Sequence, residues 1–247
     1  MARHTRQTDP VVDRSPSAVA SLARLGFAEP DRAVTLLRDP LVVRLFAPEQ
    51  ADPPGSGGLS DEARLAATRA TRVSLSEGLA AAADPDLAAL GLVRLAEVVH
   101  GLGMPVTADS ARGPAWDERA LADLLATDTP RRHRLLVTLG GSRALVDHLV
   151  AHPEHWPVAA DAVHVTGDRL REALVRAVSP QARGDHTAYD ALRVAYRREL
   201  VRIAALDLAS PDPVAHQPSA AESLAQLAEA ALEAGLAIAR EEFGPGH

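Results

Sequence analysis

The stretch from His186 to Ala209, HTAYDALRVAYRRELVRIAALDLA, contains no Gly or Pro and repeats its apolar residues at a helical interval. Tyr189, Leu192, Tyr196, Leu200 and Ile203 recur every three or four positions, which predicts one long amphipathic helix rather than a strand. Its polar side is unusual. Arg193 and Arg197 are four apart, as are Arg198 and Arg202, so like charges stand on adjacent turns, a pattern that costs a few tenths of a kcal/mol per pair in an isolated helix. Such a helix is expected to meet carboxylates or an anionic ligand elsewhere. Asp207 falls on the stripe itself, where a buried carboxylate would need an Arg partner.

The same period runs through the rest of the chain. Helices are expected over Ser17–Gly26 with Gly26 at C′, over Asp31–Arg38, and in a short turn started by Asp39-Pro40. After the loop Ala47–Ser60, a long helix runs from a Ser60 cap to about Ala83. Another starts at Asp84-Pro85 and reaches Leu102. The turn-rich segment from Met104 to Trp116 reads as an internal linker. Beyond it come Asp117–Ala126, Pro130–Leu139, Ser142–Ala151 capped by Ser142, Gly167–Val178, the organising helix, a three-proline linker over Ser210–Pro218, and a last helix Ser219–Arg240. No period-two pattern and no repeat is visible. The expectation is an all-α multi-helix bundle: a tail at 1–16, a helical subdomain at 17–103, a linker at 104–116 and a second helical subdomain at 117–247.

Composition narrows the function. Hydrophobic residues make up 47% of the 247 residues but aromatics only 3%, so the core must be Leu, Ala and Val. A net charge of -7 argues against a nucleic-acid binder. There is no cysteine, which excludes disulfides and thiolate metal sites and makes the cytoplasm the expected compartment. The first residues carry no signal peptide and no run is long enough to span a membrane. Every basic residue other than His is Arg; without Lys the chain has no P-loop and no Schiff-base site.

Three local patterns have competing readings. His148, His152 and His155 have a spacing that brings imidazoles to one face, but without H-E-x-x-H, and with Pro153 redirecting the chain, capping and packing outweigh a metal site. Gly140-Gly141-Ser142 is explained more simply as a helix stop and an N-cap than as a phosphate cradle. Trp156 reads as an apolar anchor at a helix end. The Arg-rich helix is balanced between a solvated face, with Asp190–Arg193 and Glu199–Arg202 as local pairs, and a docking surface on which Arg197, Arg198 and Arg202 offer forked donors.

Leu192-Arg193, Arg197-Arg198-Glu199-Leu200, Arg202-Ile203-Ala204-Ala205 and Asp207-Leu208 resemble the LRRFRRREMLRIAxRDL signature of bacterial glutamine synthetase adenylyltransferases. SRALVDHLVAHPEHW (Ser142–Trp156), LARLGF (Leu22–Phe27) and LAQLAEAALEAGLAIAR (Leu224–Arg240) agree in order and spacing. Leu206 departs from it where a basic residue is usual, and Tyr196 replaces another. The resemblance implies the N-terminal helical part of a bifunctional adenylyltransferase and adenylyl-removing enzyme, preceding an absent α/β nucleotidyltransferase domain. It implies a whole enzyme that uses Mg²⁺ and ATP to move AMP onto a tyrosine of glutamine synthetase, and removes it by phosphorolysis under a nitrogen regulatory signalling protein. The family's G-x-G-K…S-D-x-D motif is missing here, so no catalytic, cofactor or metal residue is assigned in this chain and it is expected to be inactive alone. The resemblance favours domain docking by Arg193, Arg197, Arg198, Glu199, Arg202 and Asp207. The alternative is a free-standing all-α protein-interaction module.

Overall fold

The computed structural model describes residues 16–46, 73–102, 116–127, 129–181 and 187–244. Among these every regular element is helical, and there is no strand. The helices are α1 (Pro16–Arg24), α2 (Pro30–Leu37), α3 (Pro40–Phe46), α4 (73–80), α5 (Pro85–Gly101), α6 (Glu118–Ala126), α7 (Pro130–Leu139) and α8 (Arg143–Ala151). After a 3₁₀ turn at Pro153–His155 come α9 (Trp156–Ala160), α10 (Gly167–Val178), α11 (Ala188–Leu208) and α12 (Pro213–Phe243). No described helix is long and apolar enough to cross a membrane.

Many of the boundaries follow from caps written in the sequence. The side chain of Asp84 accepts from the Leu87 N–H at 2.9 Å, that of Asp117 from Ala120 at 2.8 Å, and that of Thr187 from Asp190 at 3.1 Å. Each satisfies an amide that the first turn leaves without a helical partner. Gly26 closes the first helix with a φ of 95°, the left-handed conformation for which glycine has no steric penalty. The expected Ser60 cap and most of the Met104–Trp116 linker lie outside the described residues. The helix expected to run to Ala83 ends at residue 80.

Two expectations need correction. Ser142 occupies the N-cap position of α8, yet its side chain makes no capping hydrogen bond. The segment Ser210–Pro218 is not a linker through its length: α12 begins at Pro213, with the Asp212 side chain accepting from the Ala215 N–H at 3.0 Å. An Asp cap followed by Pro at the first helical position is a start signal. Pro218 then sits inside the helix, in its second turn, where it forgoes one backbone hydrogen bond.

Two apolar cores result. The first joins side chains from α1 through α9, among them Leu45, Leu92, Leu95, Leu121, Leu136 and Trp156. Residues on both sides of 104–116 therefore share one core. The second is smaller and lies among α10, α11 and α12, around Leu170, Leu174, Leu227 and Ile238. Helix α11 belongs to both, giving Val201 and Ala205 to the first and Ala188 and Ile203 to the second. Its apolar residues are therefore not confined to one stripe. On the predicted stripe, Ile203 is buried and Leu192, Tyr196 and Leu200 pack against the second core. Tyr189, at the stripe's start, is instead 55% exposed.

Close packing at one corner explains the Gly140-Gly141 pair. The Asp84 N–H donates to the Gly140 carbonyl at 3.1 Å. A Cβ on Gly140 would stand 2.4 Å from the Ala82 Cβ and 2.7 Å from the Asp84 carbonyl oxygen, and one on Gly141 would stand 2.4 Å from Leu208 Cδ1. Neither glycine has a positive φ. What the pair supplies is room for the chain entering α5 and for the end of α11.

Candidate functional site

The polar side of α11 is organised around Glu199, whose side chain is 4% exposed. One carboxylate oxygen accepts from Arg202 Nε at 2.8 Å and the other from Arg198 Nη1 at 2.5 Å. The like-charged Arg198 and Arg202 thus share one buried carboxylate, which turns the expected repulsion into a three-residue ion cluster within one turn and a half of helix. A buried carboxylate is tolerated only when paired and hydrogen-bonded in this way. Arg193 pairs with Asp190 at 3.0 Å on the exposed surface, as the i,i+3 spacing predicts. Arg197 is exposed and Asp207 half-buried.

A histidine cluster lies beside this helix. The rings of His148, His152 and His155 have centroids 5.0, 5.2 and 5.6 Å apart, and His148 Nε2 lies 3.1 Å from His155 Nδ1. That bond needs a donor and an acceptor nitrogen, so at least one imidazole is neutral. Burial pushes both His148 and His155 down to about 4. For His148 the neighbouring His155, His152 and Arg197 push the same way; at His155, Arg198 and His152 add to the lowering while Glu154 and Glu199 oppose it. Among the described residues no group of three or more metal-ligating side chains is arranged to hold a metal ion. Packing fits the arrangement. Trp156 closes the same corner, 1% exposed, with its indole N–H donating to the Trp116 carbonyl at 2.8 Å.

The structure therefore divides five of the six docking candidates between two roles. Glu199, Arg198 and Arg202 bind one another, whereas Arg193 and Arg197 present exposed guanidinium groups. The link between α11 and the histidines was not legible in the sequence, because it arises from tertiary packing of α8 and the 3₁₀ turn. The i,i+3 spacing of Glu199 and Arg202 was the available signal for the ion cluster; its burial was not.

What this arrangement defines is a helical surface on which a buried ion cluster and a histidine cluster lie side by side. Comparison with known proteins says where such a module occurs. The chain is 39% identical over 201 residues, 80% of its length, to a protein of Streptomyces avermitilis named bifunctional glutamine synthetase adenylyltransferase/adenylyl-removing enzyme. It is 42% identical over 206 residues to the protein of that name from Streptomyces coelicolor, and 40% over 174 residues to that from Mycolicibacterium smegmatis. The chain is related to a part of these actinobacterial enzymes. It spans 18% of the length of the two Streptomyces proteins and 16% of the third. No protein-family model matches it, and no solved structure does so significantly.

Proposed function

We propose that this chain is a helical scaffold within an enzyme system that adenylylates glutamine synthetase with AMP from ATP and removes the AMP by phosphorolysis. The observation that carries the reading is the similarity over 80% of the chain to enzymes of that name, on an all-helical framework. The described residues supply structure: two apolar cores, a buried ion cluster and a neutral histidine pair. Mg²⁺, ATP, glutamine synthetase and a nitrogen regulatory protein then belong to the larger system, and its place is the cytoplasm. The docking role falls to the edge of α11, where Arg193 and Arg197 present forked donors to carboxylates of a catalytic domain. Arg198, Glu199 and Arg202 hold that edge rigid, and Asp207 lies near its end.

A hybrid tests it. The matching segment of the Streptomyces coelicolor protein is replaced by this chain, and AMP transfer from radiolabelled ATP to glutamine synthetase is measured. The expected result is activity in the hybrid, reduced at least tenfold by joint Arg193→Ala and Arg197→Ala, and none from residues 1–247 alone. A folded hybrid with no more activity than a deletion of the segment would overturn the scaffold reading.

A further inference from the structure

The outer face of α12 is apolar and uncovered. Its inner face buries Leu227, Ala230, Ala234 and Ile238 in the second core, but Leu232 is 75% exposed and Phe243 is 70% exposed on the opposite side. Leu232, Leu236 and Phe243 line up with Ala221, Ala225, Ala228 and Ala239 at intervals of 4, 3, 4, 4, 3 and 4 residues. All are exposed except the half-buried Ala239. Eleven residues in three turns match a nearly straight helix, so the seven positions form one straight line about 33 Å long.

We infer that this stripe joins two copies of the chain, antiparallel, with Leu232 on the two-fold axis. The stripe is symmetric about that residue. When Leu232 faces Leu232 of the second copy, Ala228 falls opposite Leu236, Ala225 opposite Ala239, and Ala221 opposite Phe243. Away from the axis Leu236 and Phe243 thus meet small side chains, and an alanine pair lets the helices approach closely. The same patch on both copies is what a two-fold interface requires. Arg240 comes within a turn of Glu222 of the second copy on the same flank, twice by symmetry. Glu229 and Glu233 meet their counterparts near the axis, and that repulsion opposes association. The strip, about 33 Å by one helix width of about 10 Å, is smaller than the roughly 800 Å² per partner of a standard stable interface. An interface of that size makes a weak, reversible dimer. It stands apart from the adenylyltransferase reading and fails or holds separately.

The absence of cysteine in the native chain makes single-cysteine variants a clean test. Under mild oxidation, Leu232→Cys should form an interchain disulfide at least tenfold faster than Ala225→Cys, whose two copies would stand about 21 Å apart along the axis. Ala225→Cys mixed with Ala239→Cys should cross-link to each other. Sedimentation velocity between about 1 and 500 µM should show a monomer–dimer equilibrium that Leu232→Glu abolishes while circular dichroism stays unchanged. A wild-type chain that is monomeric throughout that range, or equal cross-linking of the Leu232→Cys and Ala225→Cys variants, would overturn the proposal.

Discussion

His148 Nε2 and His155 Nδ1 lie 3.1 Å apart, a hydrogen bond between two imidazoles that holds α8 to the 3₁₀ turn following it. Its stability is tied to pH. An unfolded histidine titrates near 6.5, whereas burial holds both of these at about 4. Between those values the unfolded chain binds more protons than the folded one, so stability falls as pH falls from about 6.5 to about 4. Above about 6.5 the pair contributes no pH dependence. The urea midpoint should therefore drop between pH 7.5 and pH 5, and a His148→Phe/His155→Phe double variant should show a shallower acid limb. NMR titration locates the effect: if both rings titrate near 6.5, the buried neutral pair does not exist.

The ion cluster gives a second expectation. Arg202→Ala leaves Glu199 buried with only Arg198 beside it. Breaking one partner from a buried pair costs about 3–5 kcal/mol, and the remaining Arg198 should hold the loss to about 2–3 kcal/mol. Arg193→Ala removes only an exposed pair with Asp190, 64% and 47% exposed, and should cost less than about 1 kcal/mol. Urea denaturation at pH 7.5 compares them. Equal losses would mean that Glu199 is solvated in solution.

Glycine positions with different surroundings should respond with opposite signs. Gly140→Ala drives a Cβ to 2.7 Å from the Asp84 carbonyl, whose backbone cannot swing aside as a side-chain end can. Overpacking of this kind costs about 1–3 kcal/mol. At Gly235, within α12, a Cβ would meet nothing within 4 Å. Gly235→Ala should therefore stabilise by about 0.5–1 kcal/mol, the usual helix preference for alanine. Thermal unfolding of both variants checks the pair of signs.

Local chemistry was legible and tertiary placement was not. Asp84-Pro85, Asp117 and Thr129-Pro130 announced their helices because a cap acts within four residues of itself. The period of the α11 stripe from Tyr189 to Ile203 predicts one apolar side, yet the helix lies between two cores. Burial is consequently distributed to Val201 and Ala205 on one side and Ile203 on the other, and Tyr189 reaches the surface, where its hydroxyl lies 3.3 Å from Glu242. Likewise Glu199 and Arg202 were a recognisable pair, but only the packing around them makes the carboxylate 4% exposed. The His148–His155 contact needs the bend at Pro153, a geometry that spacing alone does not give.

The start of α12 is where proline density misleads, and it yields the last expectation. Pro211, Pro213 and Pro218 together suggest a linker, but only a proline's effect on its own turn is fixed by chemistry. Pro213 stands at the first helical position, where its missing N–H has no helical partner to lose. Pro218 lies one turn further in and withholds the donor that would bond the Val214 carbonyl. If residues 213–218 are helical, Pro218→Ala restores that bond and relieves the ring's clash with the preceding turn. A proline in a helix interior costs about 3 kcal/mol relative to alanine. The benefit here should be smaller, about 1–2 kcal/mol, because the site is exposed and close to the helix end. Melting curves at low concentration should show a higher Tm for Pro218→Ala, while Pro213→Ala changes little or lowers it. Amide exchange should show new protection at residue 218. Were Pro218→Ala neutral or destabilising with no added protection, the helix would begin beyond this residue, and the linker reading of 210–218 would return.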